Sequence, residues 1–354
     1  MKQRNNDKLY IKAFGPLKEV EISLSQINIL IGKNGSGKSV LAKIITIVLD
    51  FKNHVIDQAS FFQKFQDFNI NYITKETVIQ FFVNQNIILE LKNNHFDTIG
   101  KFDEPILQEV ILRGQLSIID SQKLTSQYIP AERNLISLFS KSLSSFIVSG
   151  IPLPKFLLHF SSQYEKARQE IKELEFLDMK YINNGKDIIY YNKEEYLDLE
   201  HSSSGIQSSL PLYLTVKYFA KKHKSIIIEE PELNLFPKAQ FDIIEYILKQ
   251  VSQENDLFMM THSPYILSAL NIFLYAHKVG NLNAHAKAKV SQLYHQESWI
   301  NADNFSAYYL ENGTARDIKS SRGLISDNEI DDISEELAEK FDDLLHIYRE
   351  ENAH

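Results

Sequence analysis

The sequence predicts an α/β fold built on a buried parallel sheet. Three observations predict it. A glycine-rich segment at residues 32–39 follows the apolar run 27–31 and leads into helix-compatible residues. Two later apolar runs, 226–228 and 257–261, end in polar residues, and a helix-compatible stretch follows each of them. Alternation of short buried strands with helices is typical of an α/β core.

The glycine-rich segment fits the pattern G-x-x-x-x-G-K-[ST] in the strand and helix context that a phosphate loop needs. Glycines permit a turn whose N–H groups converge on one point, and the next helix adds the positive end of its dipole. We expect Lys38 to reach the outer phosphates of ATP and the Ser39 hydroxyl to bind Mg²⁺. The alternative is a glycine turn with a chance lysine. The predicted nucleotide-binding residues are Gly32, Lys33, Asn34, Gly35, Ser36, Gly37, Lys38 and Ser39.

Two acidic residues end the second apolar run. Glu229 is placed to hold Mg²⁺ together with Ser39, and Glu230 is the candidate that orients or deprotonates the attacking water in ATP hydrolysis. Adjacent acids in a buried strand are costly without such a role, although acids at an exposed strand end are the alternative. His262 follows the third run and is a candidate for a hydrogen bond to the γ-phosphate. A lone histidine is more often a packed or capping residue.

Composition bounds the remaining possibilities. The 354 residues suffice for one large or two ordinary domains, and 44% hydrophobic with 24% charged residues is ordinary for a soluble protein. The net charge of −8 argues against a surface coated for nucleic acid but leaves a local basic groove open. Cysteine is absent, which excludes a disulfide framework and a cysteine nucleophile. Residues 1–8 are polar and no apolar run has membrane-spanning length, so we expect a cytoplasmic protein with no membrane partner.

The first third of the chain reads as β-rich, with a predicted hairpin whose strands are 77–83 and 87–91. From Leu135 the pattern predicts helix through about Leu177, and a second β segment follows at 187–199. The helical spacing of residues 164–176 lasts only about four turns, too short for coiled-coil arms.

Four motifs in order carry a family resemblance: the phosphate loop, Ser203-Ser204-Gly205-Ile206-Gln207, the acid-bearing segment 228–235, and Thr261-His262-Ser263-Pro264. Together they resemble the ABC-type ATPase head, and more narrowly the RecF, SMC and OLD-like branch that includes ATPases of bacterial anti-phage systems. The resemblance spans residues 8 to about 275. It implies a P-loop NTPase of ABC-ATPase type with an antiparallel β lobe, a helical signature subdomain and no long coiled-coil arms.

The resemblance also implies how two copies would share ATP. Ser204, Gly205 and Gln207 would form the signature that caps the γ-phosphate of ATP held by a second subunit, giving an ATP-dependent homodimer or higher oligomer. The signature departs from the usual pattern, with Ser203 in place of leucine and Ile206 in place of the second glycine. A serine- and glycine-rich loop without this role is the alternative.

Other positions are less typical of the family. Glu229 stands where aspartate is common, and no obvious Q-loop glutamine follows the β lobe. Glu132 and Arg133 occupy the corresponding strand end, where we expect contact with metal, phosphate or ligand. Lys12 and Phe14 are the candidates for adenine recognition.

The motifs divide the chain into four predicted parts: an ATPase lobe with the β subdomain at 1–134, a helical signature subdomain at 135–215, the core return at 216–320 and an acidic helix at 321–354. The last helix begins with a capping-box pattern at residues 326–329, and one apolar stripe follows it in the sequence. We expect this stripe to pack on the body of the protein. A partner-binding helix is the alternative.

The resemblance, together with the composition and the absence of long arms, implies an ATP-driven switch that senses nucleic acid or a phage product and controls a separate effector, in anti-phage defence or DNA repair. No second catalytic cluster follows His262, so a nuclease or toxin would be another polypeptide. The alternatives are the energising subunit of a membrane transporter, disfavoured by the long segment between Ser39 and Glu229, and a DNA-bridging structural ATPase. DNA or RNA is a possible partner through the basic run 221–224, although such runs are usually solvated turns.

Overall fold

The computed structural model describes residues 7–53, 58–97, 126–139, 153–252, 254–326 and 339–345. Within these ranges the strands form an eleven-stranded mixed sheet and a four-stranded antiparallel sheet. The strands of the large sheet are β1 (Asp7–Phe14), β2 (Leu17–Leu24), β3 (Ile27–Gly32), β4 (Val78–Val83), β5 (Asn86–Lys92), β6 (His95–Asp97), β7 (Ser126–Ile129), β12 (Ser225–Glu229), β13 (Asp256–Thr261), β14 (Phe305–Glu311) and β15 (Thr314–Asp317). The small sheet contains β8 (Glu173–Phe176), β9 (Met179–Asn183), β10 (Asp187–Tyr190) and β11 (Tyr196–Asp198).

The large sheet has a parallel half and a half in which all pairs except β2 with β15 are antiparallel. Its strand order is β6-β5-β4-β1-β2-β15-β14-β3-β13-β12-β7, and the strands from β14 to β7 are all parallel. The described helices are α1 (Lys38–Asn53), α2 (Gln58–Asp67), α3 (Asn134–Phe139), α4 (Lys155–Glu170), α5 (Ser204–Phe219), α6 (Pro237–Gln250), α7 (Pro264–Gly280) and α8 (Ala284–Leu293). These elements confirm the predicted α/β fold with an antiparallel β lobe.

The parallel half has largely apolar strands at its centre. Every residue of β3 and of β12 is buried, as expected for strands covered on both faces. Helix α1 lies against β7, β12 and β13 of this half, and its residues Leu41, Ile44 and Val48 are buried. Because parallel strands end at one edge, the residues that follow β3, β12 and β13 meet there.

The predicted hairpin of the first third is confirmed. Strands β4 and β5 pair antiparallel and are joined at Asn84 and Gln85, which have φ of 49° and 68°. Two consecutive positive φ values are typical of the primed turns that match the twist of a hairpin.

The predicted helix through Leu177 is wrong beyond residue 170. Helix α4 ends at Glu170, and the chain continues as β8, which turns at Leu177 and Asp178 into β9. Along β8 exposed and buried residues alternate, with Leu174 and Phe176 buried. This period of two suits a strand. The segment is too short for its sequence to distinguish a strand from a helix, and pairing with β9 stabilises the strand. Residues 140–152 of the same prediction lie outside the described residues.

Strand β14 is an element that the sequence pattern did not predict. It pairs parallel with β3, so it lies beside the strand that enters the glycine-rich loop. The longest helix in the described part of the chain has 17 residues, which agrees with a head that has no long arms. None of the described helices combines the length and the apolar character that a membrane span requires.

Most of the predicted C-terminal helix lies outside the described residues. In residues 339–345, Phe341 and Leu344 are 61% and 64% exposed. The expected packing of the apolar stripe on the body is therefore not found for these two side chains. The division into four parts remains a prediction.

Candidate nucleotide-binding site

The glycine-rich loop has the backbone that its glycines permit. Gly35 and Gly37 have φ of 78° and 100°, in the left-handed region that disfavours side chains. Gly32 is required for another reason, since a Cβ there would collide with the main-chain oxygen of Leu310 in β14. The neighbouring strand β14 thus explains why the first position of the motif is glycine.

The loop already holds its lysine in place at the start of α1. Lys38 is only 8% exposed, and its Nζ donates to the carbonyl oxygens of Gly32 at 2.6 Å and Lys33 at 3.0 Å. Burial lowers the pKa of this ammonium group. The Ser36 hydroxyl is buried and has no hydrogen-bond partner among the described residues. A buried ammonium and an unpartnered hydroxyl in one loop fit a phosphate group.

Glu229 and Ser39 lie together at the end of β12. Glu229 is 3% exposed and accepts hydrogen bonds from the hydroxyl groups of Tyr128 and Ser39. Burial nevertheless raises its pKa, because the buried carboxylate loses solvation. One buried carboxylate and one hydroxyl beside a phosphate loop suit Mg²⁺, which is usually held by one or two carboxylates and substrate phosphates. The pattern of acids identified Glu229, whereas Tyr128 was missed.

Burial of Glu229 predicts an effect on stability without nucleotide. A carboxyl with a raised pKa favours folding below its ordinary value of 4.5, and this contribution is lost as the pH rises through the folded-state pKa. Glu229→Gln should therefore have a higher midpoint of urea unfolding than the wild type at pH 8, and the difference should shrink toward pH 4.5. The control is Glu311→Gln, at an exposed carboxylate. A lower midpoint for Glu229→Gln than for the wild type at pH 8 would contradict the inference that the buried carboxylate destabilises the nucleotide-free protein.

Glu230 has an unusual backbone directly after β12. Its φ is 45°, and its N–H donates to the carbonyl oxygen of Met260 in β13 at 2.8 Å. Its Oε1 lies 3.7 Å from Nδ1 of His262, whose side chain is 42% exposed. A non-glycine residue held in the left-handed region is typical of functional sites. The structure thus brings together the two residues that the sequence predicted as catalytic.

Glu232 is a third acid of this region to which the sequence pattern assigned no role. It is 3% exposed, and its Oε1 accepts from Thr261 Oγ1 at 2.6 Å and from the N–H of His262 at 3.0 Å. The same oxygen lies 3.6 Å from His262 Nδ1. Glu232 therefore fixes the chain at His262, and the available signal was the third acid of Glu229-Glu230-Pro231-Glu232.

The signature candidates are divided between surface and interior. Ser204 is exposed at the start of α5, and Gly205 lies so close to the next loop that a Cβ would be 2.7 Å from the carbonyl oxygen of Asn234. Gln207 is only 7% exposed, and its Nε2 donates to the carbonyl oxygens of Glu200 at 3.0 Å and Leu199. Its side chain holds the preceding loop, whereas Ser204 faces solvent.

Two further expectations are wrong for this structure. Arg133 was expected to contact metal, phosphate or ligand, but it is fully buried and all its hydrogen bonds reach main-chain carbonyl oxygens. Glu132 beside it is exposed. Phe14 was a candidate for adenine contact, yet it lies in the core against Phe65 and Tyr72.

The basic run before β12 also has an internal role. Lys222 Nζ lies 3.5 Å from the ring centroid of Tyr218, and His223 packs edge-on against Phe219. These contacts fix the end of α5. Nucleic-acid binding by this run remains a prediction.

Comparison with known proteins places the chain. The sequence profile described as "AAA ATPase domain" matches residues 7–143 and 83–267, which together cover most of the chain. The chain belongs to the AAA ATPase domain family. A relative of this family member is the uncharacterized protein MJ1542 of Methanocaldococcus jannaschii, 25% identical over 134 residues. That match covers 34% of this chain and 16% of the relative, so the chain spans only a small part of it.

Solved structures similar to this AAA ATPase include an ATP-binding cassette of an ABC transporter, MJ1267, in its ADP conformation. That match has 14% identity and a TM-score of 0.42, and it covers 93% of this chain and 96% of the other. The SMC head domain from Thermotoga maritima matches with 13% identity and a TM-score of 0.40, over 89% of this chain and 98% of the other.

Proposed function

We propose that this AAA-family ATPase is a Mg²⁺-dependent switch that hydrolyses ATP between two copies joined head to tail. The observation that carries the proposal is the convergence of five side chains at one edge of the parallel sheet: Lys38, Ser39, Glu229, Glu230 and His262. A phosphate loop, a carboxylate for metal, a carboxylate for water and a polar group for the γ-phosphate are the parts that phosphoryl transfer to water requires.

Each side chain has one task in this reaction. Lys38 binds the outer phosphates, and Ser39 with Glu229 would hold Mg²⁺. When held by these two residues, Mg²⁺ would supply positive charge beside the phosphates. Glu230, which is more exposed than Glu229, orients a water molecule and accepts its proton. Glu232 holds the backbone of His262, so that the imidazole lies beside the water-activating carboxylate.

The surface around the signature supports a partner copy. The start of α5 directs N–H groups and a positive dipole end to solvent at Ser204, which suits the triphosphate of another chain. Next to it, beyond the close contact of Gly205 with Asn234, Phe236 is 79% exposed. Aromatic residues, phenylalanine among them, are enriched at protein–protein interfaces.

Complementation between two inactive chains tests the shared site. Lys38→Ala should disable the phosphate loop, and Ser204→Glu should repel the partner's triphosphate. Each variant alone should hydrolyse little ATP. In an equal mixture, mixed dimers have one intact site built from both chains, so about a quarter of the wild-type rate should return. The measurement is phosphate release from the mixture and from each variant at matched total protein.

Two outcomes would contradict the proposal. A mixture with no more activity than the sum of its components would rule out a site shared between chains. Full activity of Ser204→Glu alone would show that Ser204 does not lie at the partner's triphosphate. A control mixture of Lys38→Ala with Lys38→Met, which both lack the loop lysine, should hydrolyse no more ATP than either variant alone.

Control of a separate effector completes the proposed switch. The effector is proposed to be another polypeptide because the motifs after Glu230 and His262 belong to the nucleotide site alone. The Glu230→Gln protein, purified with ATP, should retain the effector or the nucleic acid that the ATP-bound dimer recognises. Identification of the retained molecules by mass spectrometry and nuclease digestion would distinguish the two, and recovery of an integral membrane protein would favour transport.

A further inference from the structure

Arg133 joins three parts of the chain through carbonyl groups. It is 0% exposed, and its Nε donates to the main-chain oxygen of Ser208 in α5 at 2.9 Å. Its Nη1 donates to the oxygens of Pro130 at 3.1 Å and Glu229 at 2.7 Å, and its Nη2 donates to that of Glu230 at 2.6 Å. All three nitrogens of the guanidinium group are thus engaged by backbone.

A buried guanidinium group without a directly paired carboxylate is unusual, because taking an arginine out of water is costly. Burial lowers the pKa of Arg133 to about 10, and the carboxylates of Glu232, Glu230 and Glu229 oppose this shift. The group therefore stays charged at neutral pH. The carbonyl groups of Glu229 and Glu230 lie where the chain leaves β12 with a left-handed residue, and the guanidinium group satisfies both of them.

We propose that Arg133 is a positioning residue that couples the signature helix α5 to the water-activating carboxylate Glu230. This inference rests on the proposed function. Ser208 lies one turn after Ser204 in α5, so a shift of this helix on contact with a second copy moves the oxygen that Arg133 binds. The fork of the guanidinium group transmits this shift to the carbonyl of Glu230.

A second contact, made by the Ser208 side chain, also joins α5 to the acid-bearing loop. The Ser208 hydroxyl donates to the carbonyl oxygen of Leu233 at 2.9 Å, in the loop after the acids. Because of these two adjacent connections, α5 and the acid-bearing loop should move together. Lysine at position 133 cannot reproduce the arrangement, because a single ammonium group lacks the fork that reaches three elements.

Kinetics of Arg133→Lys and Arg133→Met test the proposal. Loss of charged hydrogen bonds at Glu230 should lower kcat by about 10- to 100-fold, with KM for ATP within about threefold. Affinity of the isolated chain for a fluorescent ATP analogue should be unchanged, since Lys38 is untouched. In a Glu230→Gln background, the same substitutions should weaken ATP-dependent dimerisation about tenfold in sedimentation velocity.

The matched control is Arg168→Lys. Arg168 is also largely buried, but it pairs with Asp187 and Glu165 away from the acid-bearing loop. Its substitution should leave kcat and dimerisation unchanged in a folded protein. If ATP affinity of the Arg133 variants fell as much as kcat, Arg133 would be a ligand contact, and unchanged kcat would also overturn the proposal.

Ser208→Ala decides the matter if the Arg133 variants do not fold. It removes the hydroxyl that contacts the carbonyl oxygens of Leu233 at 2.9 Å and of Gly205 at 3.1 Å, and it keeps the main-chain oxygen that Arg133 binds. A several-fold lower kcat at unchanged ATP affinity would support coupling, whereas wild-type kcat would overturn it. Failure of the proposed function is distinguishable. If the two copies do not share a site, Glu230→Gln without a second substitution would not dimerise with ATP. A lower kcat at unchanged KM in the Arg133 variants would still show that Arg133 positions Glu230.

Discussion

Replacing Glu230 by glutamine is expected to lower kcat for ATP hydrolysis by about 100- to 10,000-fold, the range of a general base. Glutamine has the same shape, so the backbone at φ 45° and the N–H bond to Met260 should remain. The amide cannot accept a proton from water. ATP affinity should stay within about threefold, because the phosphate loop and Glu229 are unchanged.

The same substitution should prolong the ATP-bound dimer. Hydrolysis is the step that removes the γ-phosphate shared by the two copies, so blocking it should hold them together. Single-turnover phosphate release and size-exclusion chromatography with ATP measure the two effects. Glu254→Gln, at an exposed carboxylate outside the site, is the control. Equal losses of kcat and ATP affinity would instead assign Glu230 to binding.

Local signals made much of this site predictable. The strand before the glycine-rich loop and the strand before Glu229 are short, continuous apolar runs, and each is buried as a parallel strand. Motif spacing then brought Lys38, Ser39 and Glu229 to one sheet edge. These inferences needed no knowledge of distant contacts, since parallel strands share an edge by geometry.

Long-range contacts decided what the sequence could not show. Arg133 follows a strand end where a ligand contact was reasonable, but β7 lies beside β12, and this pairing brings the acid-bearing loop over the guanidinium group. Gln207 was expected at a partner's phosphate, and the structure places its amide on the loop before α5. Glu232 acquires its role because the chain turns back toward His262.

Replacing Lys38 by methionine is expected to weaken ATP binding about 100-fold or more, as expected when a buried charge loses its partner. In the wild type the ammonium group already sits on the loop carbonyls of Gly32 and Lys33, so little rearrangement is needed to meet the phosphates. Isothermal titration with ATP and Mg²⁺ gives the dissociation constant. Lys75→Met, at an exposed lysine, is the control.

Although Lys38→Met should weaken ATP binding, it should not lower the stability of the nucleotide-free protein. Because burial lowers the pKa of Lys38, its charged form destabilises the fold at neutral pH, and this cost disappears only as the pH rises through the folded-state pKa toward 10.5. The nucleotide-free Lys38→Met protein should therefore melt at the same temperature as the wild type or higher, while ATP raises the melting temperature of the wild type alone. A lower melting temperature without nucleotide would show that the ammonium group stabilises the loop, and weaker ATP binding could then reflect a damaged fold. Opposite signs would establish that this lysine is kept in an unfavourable environment because a triphosphate relieves it.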